Sequence, residues 1–360
     1  MKVGRFGKSP YFPQQDPHSA RFGRRCMPDR AHLLLVANTW TERGMGDPEI
    51  WLALGAAAFV VVGPAVLIYL RFRREIRAAR ERLLRSGGRV IDTACGPIEY
   101  AETGEGQAVI VAHGIFGGCD QGLVIAHRNL GEGFRAIVPS RFGYLRTPLP
   151  DRASPARQAD AHACLLDALD IEKAAIIGTS AGGTSAIQFA LRRPDRCSAL
   201  VLVSSIAPGE TNADLPPERL TGLVFRSDFL FWLMTAVFRP GLRSTMGVPE
   251  KFKLTPEYEA DLAEVTATIL PAGPRGAGSL FDMFVANPDI NTGYPLESIT
   301  APVLIVSAVD DPLVLYRNAQ AMAERIPGAR LVTIESGGAM LLGHKERVRA
   351  EITAFLRETC

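Results

Sequence analysis

The sequence lacks several patterns that define other classes of protein. It has no Cys-x-x-Cys pair, no cluster with metal-ligand spacing and no Gly-x-x-x-x-Gly-Lys-Ser/Thr loop, so a zinc site and a P-loop are unsupported. Its formal net charge is only +2 over 360 residues, and no basic patch alternates with aromatic residues. Nucleic-acid binding is therefore unsupported as well. We expect no metal, no cofactor and no nucleic-acid partner.

The six cysteines are scattered along the chain. Isolated cysteines of this kind favour reduced thiols in a cytosol-facing protein over a disulfide framework. We expect each to be a small buried hydrophobic residue. The six are Cys26, Cys95, Cys119, Cys164, Cys197 and Cys360.

One long uncharged stretch stands near the N-terminus. Residues 1–44 are rich in Arg, Pro and Gly and are predicted to be a disordered tail, with Met45 an alternative start. Residues 50–70 are 21 positions without a charge, long enough for a helix to span a bilayer. One alternative is a buried helix of the globular domain, but such a helix is seldom apolar on every side. Another is a cleaved signal peptide, in which positive charges precede the apolar stretch.

Positive charge follows the apolar stretch instead of preceding it. Residues 71–90 contain eight arginines against Glu75 and Glu81. By the positive-inside rule, the C-terminal side then stays in the cytoplasm. We predict a single-pass membrane anchor with a basic juxtamembrane helix at 71–88 whose arginines meet anionic headgroups of the lipid bilayer.

The rest of the chain alternates short apolar runs with helical segments. A leading hairpin at RVIDTACGPIEYAET precedes runs such as QAVIVAHG, KAAIIGTS and PVLIVSAVDD, which are rich in Val, Ile and Leu. Runs of this type are buried on both faces of a parallel sheet. Helical candidates lie between them, at about 155–170, 182–193, 315–326 and 344–357. The alternation predicts an α/β fold, with a core at 89–207 and 296–358.

The alternation breaks once, over residues 208–295. A structureless loop of that length is unusual in a compact domain, so we predict a helical cap inserted over the sheet. Its aromatic residues either pack the cap onto the core or line a pocket for an apolar acyl group or ring. They are Phe225, Phe229, Phe231, Trp232 and Phe238.

Two glycine-rich motifs carry the chemistry. GTSAG at 178–182 follows a strand and precedes a helix, the context in which a Gly-x-Ser-x-Gly turn lifts a serine hydroxyl out of a sheet. HGIFGG at 113–118 follows another strand, and its backbone N–H groups at Ile115 or Phe116 could join that of Ala181 in an oxyanion hole. The alternative for GTSAG is that Ser180 is an ordinary loop serine, and the alternative for HGIFGG is an ordinary glycine-rich turn.

A carboxylate pair follows a later apolar run, in VDDPLV. Asp311 is the preferred acid, because the residue nearer the turn should point toward the catalytic edge, and Asp310 is the second candidate. The alternative is a turn pair that caps the following helix.

With these motifs, residues 90–358 resemble the alpha/beta-hydrolase superfamily, in particular its capped branch of esterases and meta-cleavage-product hydrolases. The resemblance implies an alpha/beta-hydrolase fold and the order Ser180, Asp311, then a histidine loop. In the family that histidine follows Gly-Gly or Cys-Gly, 28 residues after the acid. Here the matching position is Ala339, which cannot accept a proton.

His344 is the nearest histidine to this position. Relatives with a similar loop often carry a second histidine there, so packing at the start of the last helix competes with a role as base. His127 and His162 lie away from the strand ends and are discounted, and His113 is expected to orient its own loop. We predict a membrane-anchored serine hydrolase of apolar esters, thioesters or related acyl compounds. The alternative is a catalytically impaired hydrolase-fold protein that binds a lipid-like ligand or a partner.

Overall fold

The structure, a computed structural model, describes residues 48–210, 216–237 and 243–359. The chain divides into two compact units, residues 1–67 and 68–360. The predicted tail at 1–44 lies outside the described residues. Helix α1, Pro48–Arg85, starts in the first unit, and its apolar window is long and hydrophobic enough to cross a membrane, with none of that window buried. A signal sequence near an N-terminus shares this length and apolar composition.

The second unit is built on one eight-stranded sheet. The strands are β1 (Arg89–Thr93), β2 (Gly96–Thr103), β3 (Gln107–Ala112), β4 (Phe134–Pro139), β5 (Ala174–Thr179), β6 (Cys197–Val203), β7 (Val303–Ala308) and β8 (Arg330–Ile334). Their order is β1-β2-β4-β3-β5-β6-β7-β8. The hairpin β1–β2 and the pair β2–β4 are antiparallel, and the others are parallel. The predicted leading hairpin and mostly parallel sheet are confirmed.

Helices cover both faces of this sheet. They are α2 (Cys119–Asn129), α3 (Pro155–Ala168), α4 (Gly182–Arg192), α9 (Tyr316–Arg325) and α10 (Lys345–Thr359). Successive strand residues face opposite sides, as the period of a strand requires: Ile176 packs with α3 and α4, whereas Ile177 packs with α2 and α10. The sheet is therefore buried on both faces, which explains its unbroken apolar runs.

The segment between β6 and β7, which we call the cap, is helical where it is described. It contains α5 (Glu218–Phe225), α6 (Asp228–Val237), α7 (Pro256–Ala267) and α8 (Gly276–Phe281), and α8 continues through a π-helical turn at Asp282–Ala286. Residues 211–215 and 238–242, with Phe238 among them, lie outside the described residues.

The prediction that the cysteines are all reduced is wrong for one pair. Cys95 and Cys164 form a disulfide, with their Cα atoms 6.0 Å apart. The turn between β1 and β2 brings Cys95 to α3, and a sequence separation of 69 residues gave no sign of this contact. Cys119 and Cys197 are buried, as expected, and neither takes part in a disulfide among the described residues. Cys26 and Cys360 lie outside the described residues.

Candidate active site

Ser180 lies on the sharp turn between β5 and α4. Its φ is 50°, in the left-handed region that residues with a β-carbon seldom adopt. Three backbone hydrogen bonds hold the turn: Ser180 N–H donates to the Val203 carbonyl, and the Ser180 carbonyl accepts from the N–H groups of Gly183 and Ile206. Strain of this kind persists only where the surroundings fix it, and it is common at functional sites.

The flanking glycines are required by close contact. A β-carbon on Gly178 would lie 2.7 Å from the Ala186 β-carbon, and one on Gly182 would lie 2.2 Å from the Ala112 carbonyl oxygen. Both distances are far below a van der Waals contact. Strand β5, helix α4 and the end of β3 can therefore meet here only because residues 178 and 182 have no side chain.

The loop after β3 passes beside the serine. A β-carbon on Gly114 would lie 3.3 Å from the Ser180 β-carbon and 3.8 Å from its Oγ. Ile115 and Phe116 line the same cavity as Ser180, and Phe116 has a φ of 58°. Buried Ala181 follows the serine, one residue before α4 begins. The three predicted oxyanion residues thus surround Ser180.

His113 holds the glycine-rich loop in place. Its Nδ1 lies 2.7 Å from the Gly114 carbonyl oxygen, and its Nε2 accepts from the Arg141 backbone N–H at 3.0 Å. This pair of bonds suits a neutral imidazole, and burial lowers the pKa of His113 well below its ordinary value. With both nitrogens occupied, His113 orients the loop and is not free to act as a base.

Two adjacent carboxylates follow β7 and have different partners. Asp310 accepts from the backbone N–H groups of Gly337 and Gly338, at 3.1 and 2.9 Å, and so fixes the loop after β8. Asp311 is buried, and its Oδ1 accepts from the N–H groups of Leu313 and Val314 at 2.8 and 2.9 Å.

The second oxygen of Asp311, Oδ2, is buried and has no hydrogen-bond partner among the described residues. Burial raises the pKa of the Asp311 carboxyl to about 6. Leaving a buried carboxylate oxygen without a hydrogen-bond donor costs free energy. In a catalytic triad, this oxygen normally accepts a hydrogen bond from the imidazole of the histidine. The arrangement favours Asp311 over Asp310 as the acid.

Ala339 lies on the loop after β8 and lines the cavity together with Ser180. Its backbone N–H donates to the carbonyl of Gly247, in the cap, at 3.0 Å. Ala339, at the position where the family pattern has a histidine, therefore lines the same cavity as Ser180.

His344 lies elsewhere. It directly precedes α10, and its carbonyl accepts from the Val348 N–H at 2.9 Å, as the residue before a helix does. Among the described residues that line the Ser180 cavity, His344 is absent.

Two further histidines of the described residues, His127 and His162, lie on helices α2 and α3. His127 is exposed on α2. His162 is buried in α3 with its Nε2 3.3 Å from the Ser185 Oγ, and burial lowers its pKa to about 3. Neither lines the cavity among its described residues.

The cavity beside Ser180 has a volume of about 140 Å³. Thr245, Met246 and Val265 of the cap line it on one side, and Leu341 and Val348 on another. The predicted aromatic residues contribute indirectly. Phe225 and Phe231 pack against Phe116, with ring centroids 4.8 and 5.1 Å apart, and are not among the described lining residues. Phe225 and Phe231 therefore pack the cap against the loop at 113–118.

Sequence reasoning missed two buried ion pairs that tie the cap to this site. Arg141 donates through both terminal nitrogens to Asp282 and through Nε to the His113 carbonyl, the latter at 2.8 Å. Arg275 pairs with Asp120 and also donates to the Gly117 carbonyl. Both arginines hold the loop at 113–118. Their partners are more than 130 residues away along the chain, at separations of 141 and 155, so no local pattern could have found them.

With the fold and the site described, comparison with known proteins identifies the family. The model of the alpha/beta hydrolase fold family matches residues 107–345, more than half of the chain. The chain therefore belongs to that family and is an alpha/beta hydrolase. The predicted superfamily and enzyme class are confirmed.

Individual relatives agree with this assignment. The uncharacterized hydrolase YcgS of Bacillus subtilis is 29% identical over 262 residues, which is 70% of this chain and 91% of that protein. Rhodomycin D methylesterase DnrP of Streptomyces peucetius is 30% identical over 215 residues, 55% of this chain and 72% of the relative. A solved alpha/beta hydrolase fold protein from Nakamurella multipartita superposes with a TM-score of 0.62 at 28% identity, covering 75% of this chain and 99% of that one.

Proposed function

We propose that this chain is a membrane-anchored serine hydrolase that acts on an apolar ester, thioester or related acyl compound. Ser180 attacks the acyl carbonyl, and the backbone N–H groups of Ala181 and of Ile115 or Phe116 stabilise the oxyanion. The observation that carries the proposal is the left-handed backbone of Ser180 directly beside Gly114. That geometry brings the hydroxyl, the glycine-rich loop and the start of α4 to one cavity. Similarity to a methylesterase supports ester chemistry.

The proposed site lacks the imidazole that would link acid and nucleophile. Asp311 is the proposed acid, with its Oδ2 left without a donor among the described residues. A neutral serine hydroxyl is a weak nucleophile without a base. We therefore expect a slow hydrolase, with the oxyanion hole and substrate binding supplying the remaining acceleration. We assign no base function to His344, because it is not among the described residues that line the cavity.

For the membrane, we propose that residues 50–70 span the bilayer and that the hydrolase domain lies on the cytoplasmic side. The arginines after residue 70 support that side. The disulfide Cys95–Cys164 supports the opposite side, since disulfides are rare in the cytosol. We give the arginines more weight, because positive charge acts while the chain inserts into the bilayer, and the disulfide is the observation that opposes this side.

The test is hydrolysis of a short p-nitrophenyl ester by purified full-length protein. Ser180→Ala should reduce the enzyme-dependent rate to that of the buffer, whereas Ser298→Ala, an exposed serine outside the cavity, should leave it unchanged. Equal rates for the unmodified chain and Ser180→Ala would overturn the assignment of Ser180.

A second candidate function is favoured by Ala339 alone. A hydrolase fold that has lost its base can keep its pocket and serve as a binding protein for a lipid-like ligand. In that case the unmodified chain would bind a fluorescent fatty acid but would hydrolyse no ester, and Ser180→Ala would not change the affinity.

A further inference from the structure

A groove on the outside of the cap approaches the active-site cavity. It is lined by Trp232 and Ala236 of α6 and by Leu262 and Thr266 of α7. The cavity beside Ser180 is lined from the other side of α7 by Val265. Among the described residues, Met246 alone lines both spaces. The half-buried side chain of Met246 therefore contacts both the groove and the cavity.

The outer wall of the groove is the part of α1 that follows the uncharged stretch. Arg71 and Glu75 line the groove. Phe72 packs against Phe229 and Trp232 of the cap, with ring centroids 5.2 and 5.5 Å apart. The Trp232 Nε1–H donates to Glu75 Oε2 at 2.6 Å. These contacts fix the first turn after the apolar stretch against α6.

The contact continues down the helix. Arg80 pairs with Asp228 at 3.0 Å, and Arg82 donates to the backbone carbonyl of Ala267 at the end of α7. Residues 71–82 are thus packed against the cap and are not a loose tether. Because Arg71 directly follows residue 70, the groove begins where the proposed membrane span ends.

The lining of the groove suits an acyl chain. Its apolar lining includes the half-buried side chains of Ala236, Met246 and Leu270. Trp232, Leu262 and Ile269 also line it but are themselves buried, and charged groups such as Arg71 and Glu259 complete the lining. The cavity beside Ser180, at about 140 Å³, is much smaller than the roughly 300–1,000 Å³ of typical small-molecule sites. A long acyl substrate therefore needs further apolar space, and the groove supplies it next to Met246.

We propose that the groove binds the acyl chain of a long-chain ester that the enzyme takes from the bilayer. This inference rests on the proposed function, since it places the ester carbonyl at Ser180. The chain passes Met246 and lies between α6 and α7, toward the membrane boundary at Arg71. Methionine is suited to this position, because its unbranched side chain changes rotamer readily to open a passage.

The experiment uses the full-length protein in phosphatidylcholine vesicles and a variant that fills the groove without touching the cavity. Ala263 is exposed on α7 and lines the groove, whereas Ala260 is exposed on the same helix and lines neither space. Ala263→Trp should lower kcat/KM for vesicle-borne p-nitrophenyl palmitate by about tenfold or more, the scale of a blocked apolar pocket. The kcat/KM for soluble p-nitrophenyl acetate should fall much less, so that the ratio of palmitate to acetate kcat/KM decreases, and Ala260→Trp should leave that ratio unchanged.

A binding measurement separates this inference from the proposed function. In the Ser180→Ala background, a diazirine-bearing palmitoyl lipid in the vesicles should label peptides from α6 and α7 after illumination. Ala263→Trp should reduce that labelling, and Ala260→Trp should not. Labelling of α6 and α7 without any esterase activity in the unmodified chain would overturn the proposed chemistry and support the groove. If Ala263→Trp changes neither the labelling nor the hydrolysis of the palmitate ester, the groove does not bind the acyl chain and the inference is wrong.

Discussion

Gly247 of the cap lies directly against Ala339, the residue at the position where the family pattern has a histidine. A β-carbon on Gly247 would lie only 2.4 Å from the Ala339 β-carbon, and Gly247 has a φ of +74°. The Gly247 carbonyl also accepts from the Ala339 N–H. The cap thus contacts the loop that should carry the base, and a glycine is required for that contact.

This contact predicts a large cost for a single methyl group. Gly247→Ala should destabilise the protein by about 1–2 kcal/mol for the left-handed backbone and by about 1–3 kcal/mol more for the overlap with Ala339. The matched control is Gly293→Ala, since Gly293 has a φ of +94° and no atom within 4 Å of a β-carbon. Thermal unfolding of both variants in detergent isolates the contact. An equal loss of stability in the two variants would show that the loop carrying Ala339 moves away from residue 247 at no cost.

Restoring an imidazole should restore catalysis. Ala339→His should raise ester hydrolysis by about 10²-fold or more, because positioned acid–base catalysis is worth about 10²–10⁴-fold. The imidazole would face Ser180 across the cavity and would give Asp311 the donor its Oδ2 lacks. Its χ1 must point away from Gly247.

The comparison needs three further proteins measured with the same p-nitrophenyl ester. Ser180→Ala should remove the gain when combined with Ala339→His, and His344→Ala should leave the unmodified rate unchanged. A fast unmodified chain that His344→Ala inactivates would identify His344 as the base and refute our assignment. No gain from Ala339→His would favour the binding-protein alternative.

The core elements were predictable because each is defined by a local pattern. The run AAIIGT is continuous in sequence and forms β5, and the glycines of GTSAG are explained by contacts within the same strand, turn and helix. Helix α2 was missed. Its sequence CDQGLVIAHRN contains a central glycine, and a β-carbon on Gly122 would lie 2.1 Å from Val138. Close packing on the sheet, which the sequence does not display, required that residue.

Features that depend on distant pairs were not predictable. Cys95 meets Cys164 across 69 residues, and Arg141 meets Asp282 across 141. Neither pair has a spacing or flanking pattern that separates it from chance. The sequence already favoured Asp311 over Asp310, but the fold supplied the physical reason. Both oxygens of Asp310 accept from the backbone of Gly337 and Gly338, whereas Asp311 Oδ2 has no hydrogen-bond partner among the described residues.

The raised pKa of Asp311 predicts a pH-dependent stability. The folded pKa is about 6 against an ordinary value of 3.8, so the folded state binds more protons than the unfolded state between these values. The contribution of the Asp311 carboxyl to the free energy of unfolding is complete at pH values below its pKa in the unfolded state. That contribution is lost as the pH rises through its pKa in the folded state. The loss is on the order of 2–3 kcal/mol.

The measurement is thermal unfolding at several pH values for the unmodified chain and for Asp311→Asn. The Asn side chain can still accept from Leu313 and Val314 but does not ionise, so the decrease from about pH 4 to about pH 6 should become smaller. Identical pH profiles would show that Asp311 is not buried as a charged group. Ala339→His should also weaken the dependence, because an imidazolium beside Asp311 lowers the pKa of the carboxyl.

The buried pair Arg141–Asp282 should be essential to the attachment of the cap. Side chains of both residues are almost fully buried, so Asp282→Asn leaves the guanidinium without its counter-charge and should cost about 3–5 kcal/mol. The double variant Arg141→Met/Asp282→Leu removes both charges and should recover part of that loss. Thermal unfolding gives the comparison. A double variant less stable than Asp282→Asn would show that the contact of Arg141 with His113 matters more than the charge balance.

Residues 50–70 should hold the protein in the membrane. The full-length chain should stay in the membrane pellet after carbonate extraction, because the apolar stretch spans the bilayer. Val61→Arg places a charge near the centre of this stretch, at a cost of about 2.5–3.5 kcal/mol, and should shift part of the protein to the supernatant. Arg80→Ala, which changes a charge after the stretch, should not. Release of the unmodified chain by carbonate would refute the anchor.

The side of the membrane is tested by protease treatment of intact and lysed spheroplasts. If the arginines at 71–89 set the orientation, the hydrolase domain is cytoplasmic, so it is digested only after lysis and Cys95 and Cys164 react with a maleimide without prior reduction. If the domain is instead digested in intact spheroplasts and the two cysteines react only after reduction, the domain faces the oxidising side. Protease digestion reports the side on which the domain lies, and the maleimide reaction reports whether Cys95 and Cys164 are oxidised. Digestion only after lysis with reactive thiols would support the arginine flank as the determinant of topology, and the opposite pair of results would support the disulfide.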